Sequence, residues 1–220
     1  QVWENGTNKP FLHKTAMTII RVGSHHHHSE IQHHTFASGT SIRQSLTNGD
    51  NEWKRVVPES AHALYQKPHA LIEDTFPLIK YQLTIQDADS LASIYTVNEG
   101  FENRLKSMVQ VSHSHRELME NLKTKRYTYT HIQRILMNVL MNISGQDVSK
   151  EINAVRILSM NDTGRNYLKY LKNKFPYRHF ITNLNKKNAH YFHNEIKATN
   201  VYNLISSQSQ TDFNTPIICK

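Results

Sequence analysis

The chain has 220 residues, with 26 Lys and Arg against 18 Asp and Glu and a formal charge of +8. That length allows one large or two small domains with a real core, and the basic excess favours nucleic acid first and an anionic membrane surface second. No apolar run approaches bilayer length, and the one cysteine, Cys219, leaves no disulfide framework and no Cys-based zinc site, which fits a reducing cytoplasmic setting.

The chain opens on Gln1 and its first residues read as mid-domain sequence, so it is expected to be the C-terminal part of a longer protein. Residues 1–22 are turn-rich (Asn5-Gly6, Lys9-Pro10) and lead into Met17-Thr18-Ile19-Ile20-Arg21-Val22, a β-branched apolar run that suits a buried strand of an α/β sheet. A polar loop rich in histidine follows, carrying His25, His26, His27, His28, His33 and His34. Ser38-Gly39-Thr40-Ser41-Ile42-Arg43 then opens a short helix, with Ser38 or Thr40 as N-cap and Gly49 as its stop.

From Glu52 to about Ile143 the pattern is helical, punctuated by Pro58, Pro68 and Pro77. Ile132, Ile135, Leu136, Val139, Leu140 and Ile143 fall on one stripe of a helix that Gly145 is expected to end. The last third changes again. Val155 to Met160 reads as a strand, Asp162 caps a helix to about Lys174 with Tyr167, Leu168 and Leu171 inward, and Phe180-Ile181-Thr182 returns as a second strand. A final helix runs through Tyr191, Ile196 and Val201, and residues 206–220 read as loose. The fold class is therefore α/β plus α, divided at 1–50, 51–150 and 151–220, with no internal repeat.

Three constellations could carry chemistry. Arg21 at a strand end and the Ser38–Arg43 helix start would together suit phosphate, since a helix N-terminus offers free N–H groups and arginines bind phosphate oxygens in pairs. An ordinary capped surface helix is the alternative. The histidine cluster has no defined ligand geometry and no Asp or Cys beside it, so no metal site is assigned and a polar loop near a nucleotide is preferred. Asn121 to Arg134 places Lys123, Lys125 and Arg126 with Tyr127 and Tyr129 ahead of the striped helix, and Arg134 opposite the stripe. Such basic and aromatic interleaving can hold RNA phosphates and exposed bases. A solvated helix junction with inward tyrosines competes with it. No Gly-x-x-x-x-Gly-Lys, Gly-x-Gly-x-x-Gly or Gly-x-Ser-x-Gly motif is present, so kinase-type, dehydrogenase and hydrolase readings find no support.

These residues also resemble a known family. Ile20-Arg21-Val22 with Ser38 to Arg43 resembles the closing motifs of an adenylyltransferase-like domain. Val97-Asn98-Glu99-Gly100-Phe101-Glu102-Asn103-Arg104, Leu122-Lys123-Thr124-Lys125-Arg126-Tyr127-Thr128 and Arg156-Ile157-Leu158-Ser159-Met160 with Gly164 resemble the bacterial tRNA(Met) cytidine acetate ligase family, in that family's order. The resemblance implies a nucleotidyltransferase-like, Rossmann-type domain edge followed by a mainly helical domain with a small strand–helix–strand unit. It implies ATP as substrate with Mg2+, acetate activated as acetyl-adenylate, and acetyl transfer to the wobble cytidine of elongator tRNA(Met). It further implies Arg21, Val22, Thr40, Ser41 and Arg43 as ATP-binding residues, and Lys123, Lys125, Arg126 and Arg134 as contacts to tRNA. The family's His-x-Gly-His-type segment is not among these residues, so no catalytic residue is assigned and the chain alone is expected to be inactive. Two other readings stand beside this one: an enzyme adenylylating a small metabolite, which would not need the Lys123–Arg134 patch, and a non-catalytic helical RNA-binding module, which would not need Arg21 beside the helix start.

Overall fold

A computed structural model describes residues 30–148 and 152–219. The expected strand at Met17–Val22, with Arg21, and the His25–His28 run lie outside the described residues. The chain divides into two compact units, Gln1–Lys67 and Pro68–Lys220.

In the first unit, α1 spans Gly39–Asn48. Ser38 is its N-cap: the Ser38 hydroxyl accepts the Ser41 N–H at 3.0 Å while the Ser41 hydroxyl accepts the Ser38 N–H at 3.1 Å. Gly49 ends it with φ 73°, a left-handed backbone that glycine adopts without cost. Ser45, one turn after Ser41, hydrogen-bonds Asp50 and accepts the Trp53 N–H at 3.2 Å. Trp53 is buried against Tyr65 and His62, and His62 Nε2–H lies between the carbonyls of Lys54 (3.0 Å) and Val57 (2.9 Å). The short helices at Glu52–Arg55 and Glu59–Tyr65 thus pack within this first unit, whereas the sequence places them with the helical region that follows.

The second unit is mainly helical. Helices α3 (Phe76–Ile85), α4 (Ala88–Ala92), α5 (Phe101–Val111), α6 (His115–Leu122) and α7 (Tyr129–Met141) follow α2 (Glu59–Tyr65) in order. Ile79 and Leu83 of α3, Leu105 and Val109 of α5, Leu118 and Leu122 of α6, and Ile132, Ile135, Leu136 and Val139 of α7 are fully buried in one core. Each of these sets falls at three- and four-residue spacing, so each helix has one apolar face. The core explains the stripe on α7, whose end is set earlier than Gly145, by Asn142 at φ 46°.

Four basic side chains in this unit serve helix C-termini. Lys106 donates to the Leu83 and Gln86 carbonyls at the end of α3, Lys80 to Ser112 at the end of α5, Arg104 to Asn121 and Leu122 at the end of α6, and Lys197 to Met141 at the end of α7. A cation there meets unpaired carbonyls and the negative end of the helix dipole. Part of the basic excess is therefore structural.

Beyond α7, β1 (Ala154–Arg156) and β3 (His179–Ile181) pair in parallel, joined by α8 (Asp162–Lys174), as the strand–helix–strand expectation required. The single strand expected from Val155 to Met160 is two. Ile157 N–H still bonds Ile181, but the Leu158 carbonyl accepts from Ile218, and β2 (Ser159–Met160) pairs in parallel with β4 (Ile218–Cys219). The tail expected to be loose supplies β4 and is clipped by a half-buried ion pair between Arg156 and Asp212. On α8 the cap is Asn161 rather than Asp162, and Tyr167 faces solvent while Leu168 is buried. The last helix, α9 (His193–Ser206), begins just after Tyr191, which lies in the preceding turn.

Candidate nucleotide and nucleic-acid surfaces

The first candidate is the start of α1. Its first turn holds no acidic residue. Arg43 folds back along the helix, with Nη2 3.5 Å from the Thr40 hydroxyl and Nη1 3.4 Å from where a Cβ on Gly39 would stand. A guanidinium at this end adds its charge to the positive end of the helix dipole, an arrangement that an anion relieves. Gly39 and Thr40 are exposed, and the N–H groups of a first turn have no partner within the helix. Ser41 stands apart from its neighbours. Its side chain is buried and its hydroxyl also donates to the Ser38 carbonyl at 3.0 Å, so it acts on this helix mouth by holding the cap.

A cavity of about 570 Å³ lies along the same helix, lined by Ser41, Gln44, Ser45 and Asn48 together with Glu30, Asp50 and Glu52. Three carboxylates make its sign wrong for a polyphosphate. The described histidines nearby are structural: His33 Nδ1 accepts the N–H groups of Thr35 (3.1 Å) and Phe36 (3.2 Å), and His34 lies 3.5 Å from Arg55. Among the described residues no cluster of three His, Cys, Asp or Glu side chains is arranged to hold a metal ion.

The second candidate belongs to the helical unit. The two segments that carry the resemblance there, 97–104 and 122–128, pack on each other. Arg126 pairs with Glu99, the Tyr127 hydroxyl donates to Asn98 at 3.1 Å, and the Tyr127 ring lies 4.5 Å from Phe101 and 5.4 Å from His131. Thr96, Glu99 and Gly100 all have positive φ, at 74°, 56° and 81°. A β-branched residue in that region is strained, and the surroundings must hold it there. Asn138 does so from α7, donating to the Tyr95 carbonyl (2.9 Å) and the Thr96 hydroxyl (3.1 Å). On α7, His131, Arg134 and Asn138 fall at i, i+3 and i+7 on one polar face, from which His131 meets the Tyr127 ring and Asn138 holds the loop.

The four cations expected here differ in their freedom. Lys125 and Arg134 are exposed and pair with no carboxylate among the described residues. Arg126 is also exposed but is engaged by Glu99. Lys123 is half-buried, its ammonium 5.6 Å from the exposed Tyr129 ring. Tyr127 packs inward, as the helix-junction alternative held, while Tyr129 stays outward. Asn98 and Glu99 stand in the segment that carries the resemblance but drew no role from it, and Asn138 was not singled out. The polar spacing on α7 was the available signal, because it needs a partner other than the apolar core.

Comparison with known proteins adds to this geometry. The HIGH Nucleotidyl Transferase family profile matches residues 9–215. A Staphylococcus epidermidis protein named tRNA(Met) cytidine acetate ligase is 64% identical over 206 residues, covering 94% of this chain and 55% of its own length. A Staphylococcus aureus protein of the same name is 58% identical over 203 residues, covering 92% of this chain and 54% of its own. The chain thus spans about half the length of these relatives. Among solved structures, apo Thermotoga maritima TmcAL superposes with a TM-score of 0.77 over 90% of this chain and 54% of that one. A second form, bound with alpha-thio ATP, superposes with 0.72 over 84% and 53%. Both are 20% identical to this chain, and the likeness is one of fold.

Proposed function

Because the chain belongs to the HIGH nucleotidyl transferase family, and within it to the tRNA(Met) cytidine acetate ligase family, we propose that it forms part of an enzyme that acetylates tRNA with ATP and acetate. The observation that carries this reading is the 64% identity across 94% of the chain to a protein of that name. In the first step an acetate oxygen attacks the α-phosphorus of ATP, the bond to the leaving pyrophosphate breaks, and acetyl-adenylate forms. In the second, the exocyclic amine of the wobble cytidine of elongator tRNA(Met) attacks the acetyl carbonyl, AMP leaves, and the amine gives up a proton.

The roles proposed for this chain are binding roles. Thr40 and Arg43 at the mouth of α1 hold the ATP phosphates, Arg21 and Val22 from the preceding segment contact the nucleotide, and Ser41 keeps the mouth in shape. Negative charge builds on the α-phosphate and the departing pyrophosphate, which is where a fixed guanidinium and helix N–H groups help most. Mg2+ accompanies ATP as part of the substrate, and no residue here is assigned to it. Lys123, Lys125, Arg126 and Arg134 serve the RNA backbone, with Lys125 and Arg134 the most available. Arg43→Ala in the full-length protein should raise the ATP requirement of acetate activation, at a cost of roughly 1.5–3 kcal/mol for one charge-assisted contact. ATP–pyrophosphate exchange reads this directly, and a wild-type rate in the variant removes Arg43 from the nucleotide site.

A further inference from the structure

Within the second unit, α8 carries an exposed ladder of rings and charge. Tyr167 and Tyr170, three residues apart, stack with centroids 6.0 Å apart and planes at 21°. Lys174 lies 5.3 Å from the Tyr170 ring and 5.7 Å from that of Phe175, which joins the rings into one strip along the helix. All four aromatics here face solvent: Tyr167 is 59% exposed, Tyr170 52%, Phe175 40% and Tyr177 91%. The helix does not need them for its own packing, which uses Leu168.

The charge along the chain from α8 onward is largely of one sign. From Thr163 to Asn194 there are seven cations (Arg165, Lys169, Lys172 and Lys174, then Arg178, Lys186 and Lys187) and not one Asp or Glu. Arg165 pairs with Asp162 just before that stretch and Arg178 with the Ile152 carbonyl, while Lys169 and Lys172 are exposed. Exposed aromatic rings cost free energy in water unless something covers them, and a stretch dominated by cations attracts polyanions and repels basic partners. A polyanion that also offers flat apolar faces satisfies both features at once.

We infer that the Tyr167–Tyr170–Lys174–Phe175 strip is a stacking platform for unpaired bases of an RNA strand whose phosphates lie along the neighbouring lysines. This goes beyond the backbone contacts proposed for Lys125 and Arg134, and it rests on the reading that the protein acts on RNA. The two surfaces differ in what they can sense. The α7 surface grips phosphates and is indifferent to pairing, whereas the α8 strip requires bases that are out of a duplex.

The test uses full-length protein and two fluorescent probes of equal length, a single-stranded oligo(U) and a blunt RNA duplex, titrated at several salt concentrations. Tyr167→Ala with Tyr170→Ala should weaken oligo(U) binding about tenfold, change duplex binding less than twofold, and leave the salt slope as in wild type, since stacking displaces no counterions. Tyr167→Phe with Tyr170→Phe keeps both rings and should bind as wild type. Circular dichroism and the melting temperature check that the variants fold. Unchanged oligo(U) affinity in the Ala variant, or an equal loss in the Phe variant, overturns the platform while the RNA reading stands. Wild-type protein that binds neither probe overturns the RNA reading itself. An Ala variant that loses binding to phosphatidylserine vesicles or self-association in sedimentation, with oligo(U) binding intact, assigns the strip to a membrane or a second copy and overturns the inference.

Discussion

At the scale of single residues, the positions that repeat the family pattern have separable physical jobs. Arg43 brings charge to a helix end whose first turn holds no acidic residue, Ser41 makes the cap that shapes that end, and Arg104, inside the Val97–Arg104 segment, closes the C-terminus of α6. His115 is a different case. It opens α6, is buried, and its Nε2 has no hydrogen-bond partner. Burial lowers its pKa below the usual histidine value, against the opposing pull of Glu73, and its place in the first turn of a helix also disfavours the charged ring. The unfolded chain therefore takes up a proton at this residue at a higher pH than the folded one does. Stability from His115 is complete above about pH 6.5 and declines as pH falls below that value. His115→Asn should flatten this dependence. Melting temperatures between pH 7.5 and 5.5 measure it, and parallel curves for the two proteins would show that His115 contributes nothing.

At the scale of elements, the structure sorts the cations. Because Lys125 and Arg134 pair with no carboxylate among the described residues and Arg126 is held by Glu99, replacing Lys125 and Arg134 by Ala should weaken tRNA binding and reduce its salt slope by about two. Glu99→Gln should strengthen binding, since the exposed pair it breaks contributes at most about 1 kcal/mol to folding and a cation is released to the RNA. If the double variant keeps its affinity and slope, the segment is a solvated junction. A second element-scale prediction concerns the tail. Arg156→Ala leaves Asp212 half-buried without its ion: burial pushes its carboxyl up, and of the groups that hold it low, the Thr199 and Arg156 hydrogen bonds and the Arg156 charge, only Thr199 would remain. That should cost roughly 3 kcal/mol and detach β4, read as faster hydrogen exchange at the Ile218 N–H. Unchanged protection there would mean β4 holds without the clip.

These elements also show what could be read in advance. The α7 stripe and the Ser38 and Gly49 caps were legible because their causes lie within a few residues. The break between β1 and β2 was not, because the partner that captures Leu158 is Ile218, sixty residues away, in a segment with no strand-like alternation. Tyr127 and Tyr129 look equivalent in sequence, and the packing of Phe101 separates the half-buried ring from the exposed one. Nor could spacing show that four of the cations close helix ends.

At the scale of the whole molecule, setting those four cations aside leaves a net charge of +4 (8 − 4), and the stretch from Thr163 to Asn194, which begins in α8, holds seven cations and no carboxylate. No helix among the described residues is long and apolar enough to cross a membrane. The first unit presents an exposed helix start with Arg43 beside it, and the second presents exposed cations and aromatic rings; in the proposed function the former serves ATP and the latter RNA. The measurement that bears most directly on this is acetate-dependent ATP–pyrophosphate exchange by the full-length protein with no RNA present. Exchange that appears with acetate, disappears without it and proceeds without tRNA is the predicted result. Exchange that is absent, or that occurs equally with no acetate, would contradict the account.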